Sequence, residues 1–163
     1  MRYPGGKGKC YQHIINLMPM HDTYIETHLG GGSVMRNKRP AQRNIGIDID
    51  PKVINLWKEQ FSELCELVLD DALSFLKSYN FNGNELVYVD PPYFPDTRRN
   101  TKIYTYEYTQ DDHRRLLSLL KGLPCNVMIS GYDHPFYNEQ LDGWRKATFS
   151  AKTHVDIREE NIW

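Results

Sequence analysis

Cysteine is scarce in this chain and scattered. There are 3, at Cys10, Cys65 and Cys125, with no CxxC pair among them. That excludes a disulfide framework and a cysteine-based zinc site, and it fits a reducing compartment. The 6 histidines show no metal-type spacing either, so no metal is expected. Long apolar runs are missing, and nothing approaches the ~20 residues needed to span a bilayer. The N-terminus runs into Pro4-Gly5-Gly6 where a secretory signal would carry an apolar core. The expectation is a cytoplasmic protein that makes no membrane contact. Net charge is only −1 over 163 residues, so the total gives no argument for a general polyanion-binding surface. Repeats, low-complexity tracts and linkers are also absent. Residues 1–163 therefore read as a single domain with room for a substantial core.

Charge is present but uneven. Residues 1–43 carry seven Lys/Arg against two acids, and residues 44–97 carry three against ten. A locally basic face is compatible with overall neutrality. The stretch that organises the rest is Glu85-Leu86-Val87-Tyr88-Val89-Asp90-Pro91-Pro92-Tyr93-Phe94. Leu86 to Val89 form a short β-prone apolar run, read as a buried strand. Asp90 falls at its carboxyl end, where open α/β sheets place ligand crevices. The prolines fix φ, lack N–H groups and hold their predecessors extended. The result is a stiff corner offering a carboxylate, free carbonyls and an aromatic ring.

Upstream, strand and helix signals alternate. Thr23 to Thr27 reads as a strand, followed by Gly30-Gly31-Gly32-Ser33 at a helix start, a nucleotide cradle without the GxGxxG spacing. Asn44 to Asp50 is a second strand, and Pro51 opens a helix reaching Phe61. Asp48 is placed to hold ribose hydroxyls, and Asp50 to cap that helix. Leu64 to Leu69 is a third strand ending at Asp70-Asp71, and a helix over 72–78 leads through Asn82-Gly83-Asn84 to the Asp90 strand. Such alternation predicts a parallel sheet covered on both faces.

At the N-terminus, Gly5 and Gly6 let the backbone approach a ligand and Lys7 adds a cation at a helix start. Downstream, residues 95–110 lack apolar periodicity and interleave Arg98, Arg99 and Lys102 with Tyr104, Tyr106 and Tyr108. That mixture suits phosphate contacts with base stacking, or equally a solvated tyrosine-rich loop. Thr109 caps the next helix, which runs through Leu116, Leu117 and Leu120. Asn126 to Ser130 is a fifth strand, followed by a short helix ending at Leu141. Residues 144–151 and 154–163 then close the sheet as an antiparallel pair.

Five features stand in fixed order: Tyr3-Pro4-Gly5-Gly6-Lys7, Glu26 with Gly30 to Val34, Asp48-Ile49-Asp50, Asp71-Ala72, and Asp90-Pro91-Pro92-Tyr93. This series, with the later Ser130-Gly131-Tyr132-Asp133, resembles the Dam-type, alpha-group DNA N6-adenine methyltransferases of bacteria and phages. The resemblance covers nearly the whole chain. It implies a Rossmann-like, mostly parallel α/β fold that uses S-adenosyl-L-methionine (AdoMet), with an antiparallel C-terminal strand pair. Restriction–modification, phage protection and regulation are all roles open to such an enzyme.

The resemblance also implies roles. Tyr3, Gly5, Gly6 and Lys7 lie along the cofactor, Glu26 and Ser33 bind it beside its glycine turn, and Gly30, Gly31 and Gly32 admit its methionine part. Asp48 holds the ribose, Asp71 lies near the cofactor's adenine, and Asp90 touches both cofactor and target base. Asp90 and the Pro91 carbonyl accept from the amine of a flipped adenine in DNA, while Pro92 stiffens the corner. Tyr93 stacks on that base, with Phe94, Arg98, Arg99 and Lys102 toward DNA. The 18 residues between Asp71 and Asp90 leave no room for the recognition region that larger Dam-type enzymes insert there. Sequence choice then falls to residues 95–110, to a separate specificity partner, or is lax. Methylation of RNA or another amino group, and a non-catalytic AdoMet- or DNA-binding remnant, are the competing readings.

Overall fold

A computed structural model describes residues 10–93, 106–152 and 157–163. In chain order the elements are α1 (Tyr11–Leu17), β1 (Thr23–Glu26), α2 (Ser33–Asn37), β2 (Arg43–Asp48), α3 (Pro51–Gln60), β3 (Glu66–Leu69), α4 (Ala72–Ser78), β4 (Glu85–Val89), α5 (Gln110–Lys121), β5 (Asn126–Gly131), α6 (Pro135–Gln140), β6 (Ala147–Lys152) and β7 (Ile157–Ile162). The strands form one seven-stranded sheet in the order β3-β2-β1-β4-β5-β7-β6. β1 to β5 pair in parallel, and β7 pairs antiparallel with both β5 and β6.

Alternation along each central strand sends side chains to two cores. Ile25, Ile47, Val87, Val89 and Ile129 pack with Leu76 of α4 and Leu116, Leu117 and Leu120 of α5. Tyr24, Leu86, Tyr88 and Met128 pack on the other side with Ile14 of α1, Val34 and Met35 of α2, and Val53 and Trp57 of α3. β4 is buried along its whole length, as the strand at the centre of a doubly covered sheet must be.

Local chemistry closes the joints. The Asp50 carboxylate accepts from the Lys52 N–H at 2.9 Å and Pro51 occupies the first turn, which starts α3 where the sequence signals it. The buried Glu85 carboxylate accepts from the Asn82 and Gly83 N–H groups at 2.8 and 2.9 Å, turning the chain into β4. Between Asp71 and Asp90 the chain forms only α4, this turn and β4. At the far end, Trp163 and Ile129 exchange backbone hydrogen bonds at 3.0 and 3.1 Å and extend the β5–β7 ladder.

Strand order reverses at β1, whose neighbours are β2 and β4. The connections leaving β1 and β4 therefore diverge to opposite sides and leave a crevice at their carboxyl ends.

Candidate active site

Two segments border that crevice. The first is the turn after β1. Gly30 and Gly32 have φ of 46° and 55°, a left-handed conformation that other residues rarely adopt. At Gly32 space also forbids a side chain, because a Cβ would stand 2.0 Å from Cζ2 of Trp57. The same indole donates to the Gly30 carbonyl at 2.9 Å, seating the turn on α3. Asp48, 7% exposed at the end of β2, ties the turn from the other side. Its Oδ2 accepts from the Gly30 N–H at 2.8 Å and its Oδ1 from the Asp50 N–H at 2.9 Å. Burial raises the Asp48 carboxyl above its ordinary value, opposed by these backbone donors. With two oxygens and about four acceptor sites, the Asp48 carboxylate can take a further donor besides these backbone groups.

Glu26 lies beneath the turn. Its Oε2 accepts from the Tyr24 hydroxyl at 3.0 Å and from the Met35 N–H at 3.1 Å, so it braces α2 from inside. Lys38 Nζ sits 4.4 Å over the Tyr24 ring. Burial, partly offset by the Tyr24 hydrogen bond and reinforced by the charge of Asp90, pushes the Glu26 carboxyl up to about 8. Gly31 and Ser33 carry the turn into α2.

The second segment is Asp90 to Tyr93. Asp90 and Pro92 are half-buried and Pro91 is buried. Asp90 directly follows β4, so it stands at the carboxyl edge of the sheet, and its charge adds to the burial that raises Tyr24, Tyr88 and Tyr137. Tyr93 is only 6% exposed. Its hydroxyl donates to Oε1 of Glu160 on β7, and its ring meets Tyr132 edge-on at 4.4 Å.

Asp71 serves α4 directly: its Oδ2 accepts from the Ser74 N–H at 3.0 Å. Beside it, Ile49 and Leu69 are exposed at the carboxyl ends of β2 and β3, an apolar rim next to Asp48. Neither residue carries a motif, although an Ile immediately after a strand-ending acid is a usable signal.

Tyr108 is not a solvated loop residue. Its hydroxyl lies 3.0 Å from Nε2 of His28, whose Nδ1 is 2.9 Å from Thr27 Oγ1. Burial, then the His113 charge, lowers His28 to about 3, so its imidazole is neutral near pH 7. The Tyr108 ring meets His113 edge-on at 5.4 Å, and Nδ1 of His113 lies 2.8 Å from the Tyr137 hydroxyl. Tyr3, Gly5, Gly6, Lys7, Phe94, Arg98, Arg99 and Lys102 lie outside the described residues. Among the described residues no cluster of three His, Cys, Asp or Glu could hold a metal ion. No described helix is long and apolar enough to cross a membrane.

A mostly parallel sheet with this strand order and an antiparallel pair at its C-terminal end, a glycine turn after its first strand and an acid ending its second have the Rossmann-like architecture of AdoMet-dependent methyltransferases. The chain belongs to the D12 class N6 adenine-specific DNA methyltransferase family, whose profile matches residues 3–82 and 74–158. Solved structures share the fold at low identity. A Thermoplasma acidophilum protein superposes with a TM-score of 0.62 at 13% identity, over 93% of this chain and 82% of its own. A Streptococcus mutans protein solved in complex with SAH gives 0.61 at 11% identity, over 99% and 98%. An rRNA methylase from Streptococcus thermophilus gives 0.56 at 12%, over 99% and 95%. No curated protein sequence matches this chain.

Proposed function

We propose that this protein, as a single catalytic domain, transfers a methyl group from AdoMet directly to the exocyclic N6 of an adenine flipped out of DNA. The observation that carries this is the Asp90-Pro91-Pro92-Tyr93 corner at the switch-point crevice, beside the glycine turn, in a chain of the D12 family. When bound, AdoMet supplies a methyl group on an electrophilic sulfonium. The donor set fits it: Asp48 toward the ribose, Asp71 with Ile49 and Leu69 toward its adenine, and Gly30, Gly31, Gly32 and Ser33 along the methionine part. Glu26 holds that turn in shape. Tyr3, Gly5, Gly6 and Lys7 complete this set from the N-terminus.

The amine of adenine is a weak nucleophile because its lone pair is delocalised into the ring. Two acceptors aimed at its hydrogens, the Asp90 carboxylate and the Pro91 carbonyl, favour the pyramidal nitrogen that attacks. Pro91 and Pro92 cannot donate and cannot change φ, so these acceptors are preorganised before the substrate arrives. Tyr93 bounds the base site with Phe94, and Arg98, Arg99 and Lys102 neutralise phosphates. Without a recognition insert, sequence choice rests on that segment or on a separate partner.

The test is methyl transfer from labelled AdoMet to unmethylated DNA, with RNA as competitor, and digestion to nucleosides for mass spectrometry. N6-methyladenine from DNA is expected, and its loss with Asp90→Ala. Product on RNA alone, or an Asp90→Ala variant as active as wild type, overturns the proposal.

A further inference from the structure

Glu160 has no part in the chemistry above, yet it is 3% exposed and takes the hydroxyl of Tyr93. A carboxylate removed from water is costly unless it is well hydrogen-bonded. Its same-face neighbour two residues on, Ile162, is an ordinary core residue packed with Leu86 and Tyr88.

The register explains the location. Ser130 pairs with Ile162 and Gly131 with Asn161, so Glu160 comes level with Tyr132 at the carboxyl edge of the sheet. That edge carries the Asp90 corner. Tyr132 itself meets the Tyr93 ring at 4.4 Å and 77°. Tyr93 is thereby fixed at two points, its hydroxyl on β7 and its ring edge on the residue following β5. Because Tyr93 directly follows two prolines, fixing its far end steadies the whole corner opposite its β4 anchor. Asp48 and the glycine turn lie across β1 and β2, away from this contact.

Resting on the methyl-transfer reading, we infer that Glu160 is a positioning residue for the reaction: by holding the Tyr93 hydroxyl it sets the ring, and with it the Asp90 and Pro91 acceptors, against the target base. The closing strand pair is then part of the active site, not only an edge of the sheet.

The experiment compares Glu160→Ala, Glu160→Gln, Tyr93→Phe and the Tyr93→Phe/Glu160→Ala double variant with wild type. It reads kcat and KM for DNA, AdoMet affinity by calorimetry, and fluorescence of DNA carrying 2-aminopurine at the target. Tyr93→Phe removes the contact from the other side without touching β7, so the inference stays testable if Glu160→Ala folds poorly. Either single loss should lower kcat by about 10- to 100-fold, the scale of a small misplacement, with AdoMet affinity within about twofold. The double variant should be no worse than the poorer single one, because both remove one interaction. Glu160→Gln should recover most of the rate, since its amide oxygen still accepts from the phenol. The 2-aminopurine signal should fall in the variants that lose the contact.

An unchanged kcat in Tyr93→Phe, losses that multiply in the double variant, or AdoMet affinity falling in step with kcat would overturn the assignment while the methyl-transfer reading stands. No methyl transfer to any DNA adenine by wild type would instead overturn that reading, and the inference with it.

Discussion

At the scale of single residues, the site is built by groups that answer to more than one partner. Gly32 must hold a positive φ and must also leave room for Trp57. Gly32→Ala should therefore cost at least ~2 kcal/mol, combining left-handed strain with overpacking. Chemical denaturation would measure that loss, and the variant should lose AdoMet affinity together with stability. Asp48 shows the same economy, binding the turn through Gly30 and Asp50 while facing the crevice. Asp48→Ala should weaken AdoMet binding by ~1.5–3 kcal/mol for each charge-assisted hydrogen bond removed. Calorimetry giving wild-type affinity would take Asp48 out of the site.

At the scale of elements, the starts of the helices are locally encoded. Helix α5 starts with a reciprocal cap, in which Asp112 N–H donates to Thr109 Oγ1 at 3.2 Å and Thr109 N–H donates to Asp112 Oδ2 at 2.8 Å. The Thr109 hydrogen bonds also hold the Asp112 carboxyl below its ordinary value. Thr109→Ala should cost about 1 kcal/mol in a urea titration. Because Tyr108 immediately precedes the cap, the loss should also loosen its hydrogen bond to His28.

Signals of this kind made Asp50, Pro51, the 72–78 helix and the strand ending at Asp90 legible from sequence. The 80-residue separation of His28 from Tyr108 and the 67-residue separation of Tyr93 from Glu160 were not legible. Nothing near Glu160 marks it, since Glu159-Glu160-Asn161 reads as a polar strand end until the register brings it level with Tyr132. Local periodicity reports which face is buried. It does not report which distant group meets a side chain there.

At the scale of the whole molecule, one buried group and one half-buried group set opposite pH limits. Folded Glu26 keeps its proton up to about 8, whereas the unfolded chain releases it near its ordinary value of 4.5. Stability is thus lost progressively as pH rises from 4.5 through 8. Folded His28 resists protonation down to about 3, against 6.5 when unfolded, so stability is also lost as pH falls through that range. Urea midpoints measured across pH should show that Glu26→Gln flattens the alkaline limb and His28→Asn the acid limb, each leaving the other in place.

The position of β7 has a consequence for how the molecule assembles. β6 joins the sheet through β7 alone, while β7 is stitched to β5 by Ser130, Gly131 and the Trp163–Ile129 exchange. β6 and β7 are local partners, so they can pair with each other first and join the sheet through β7 as one unit. Refolding followed by tryptophan fluorescence should then show burial of Trp163 as a step of its own, whereas a single phase shared with Trp57 would mean that the strand pair and the parallel half form together.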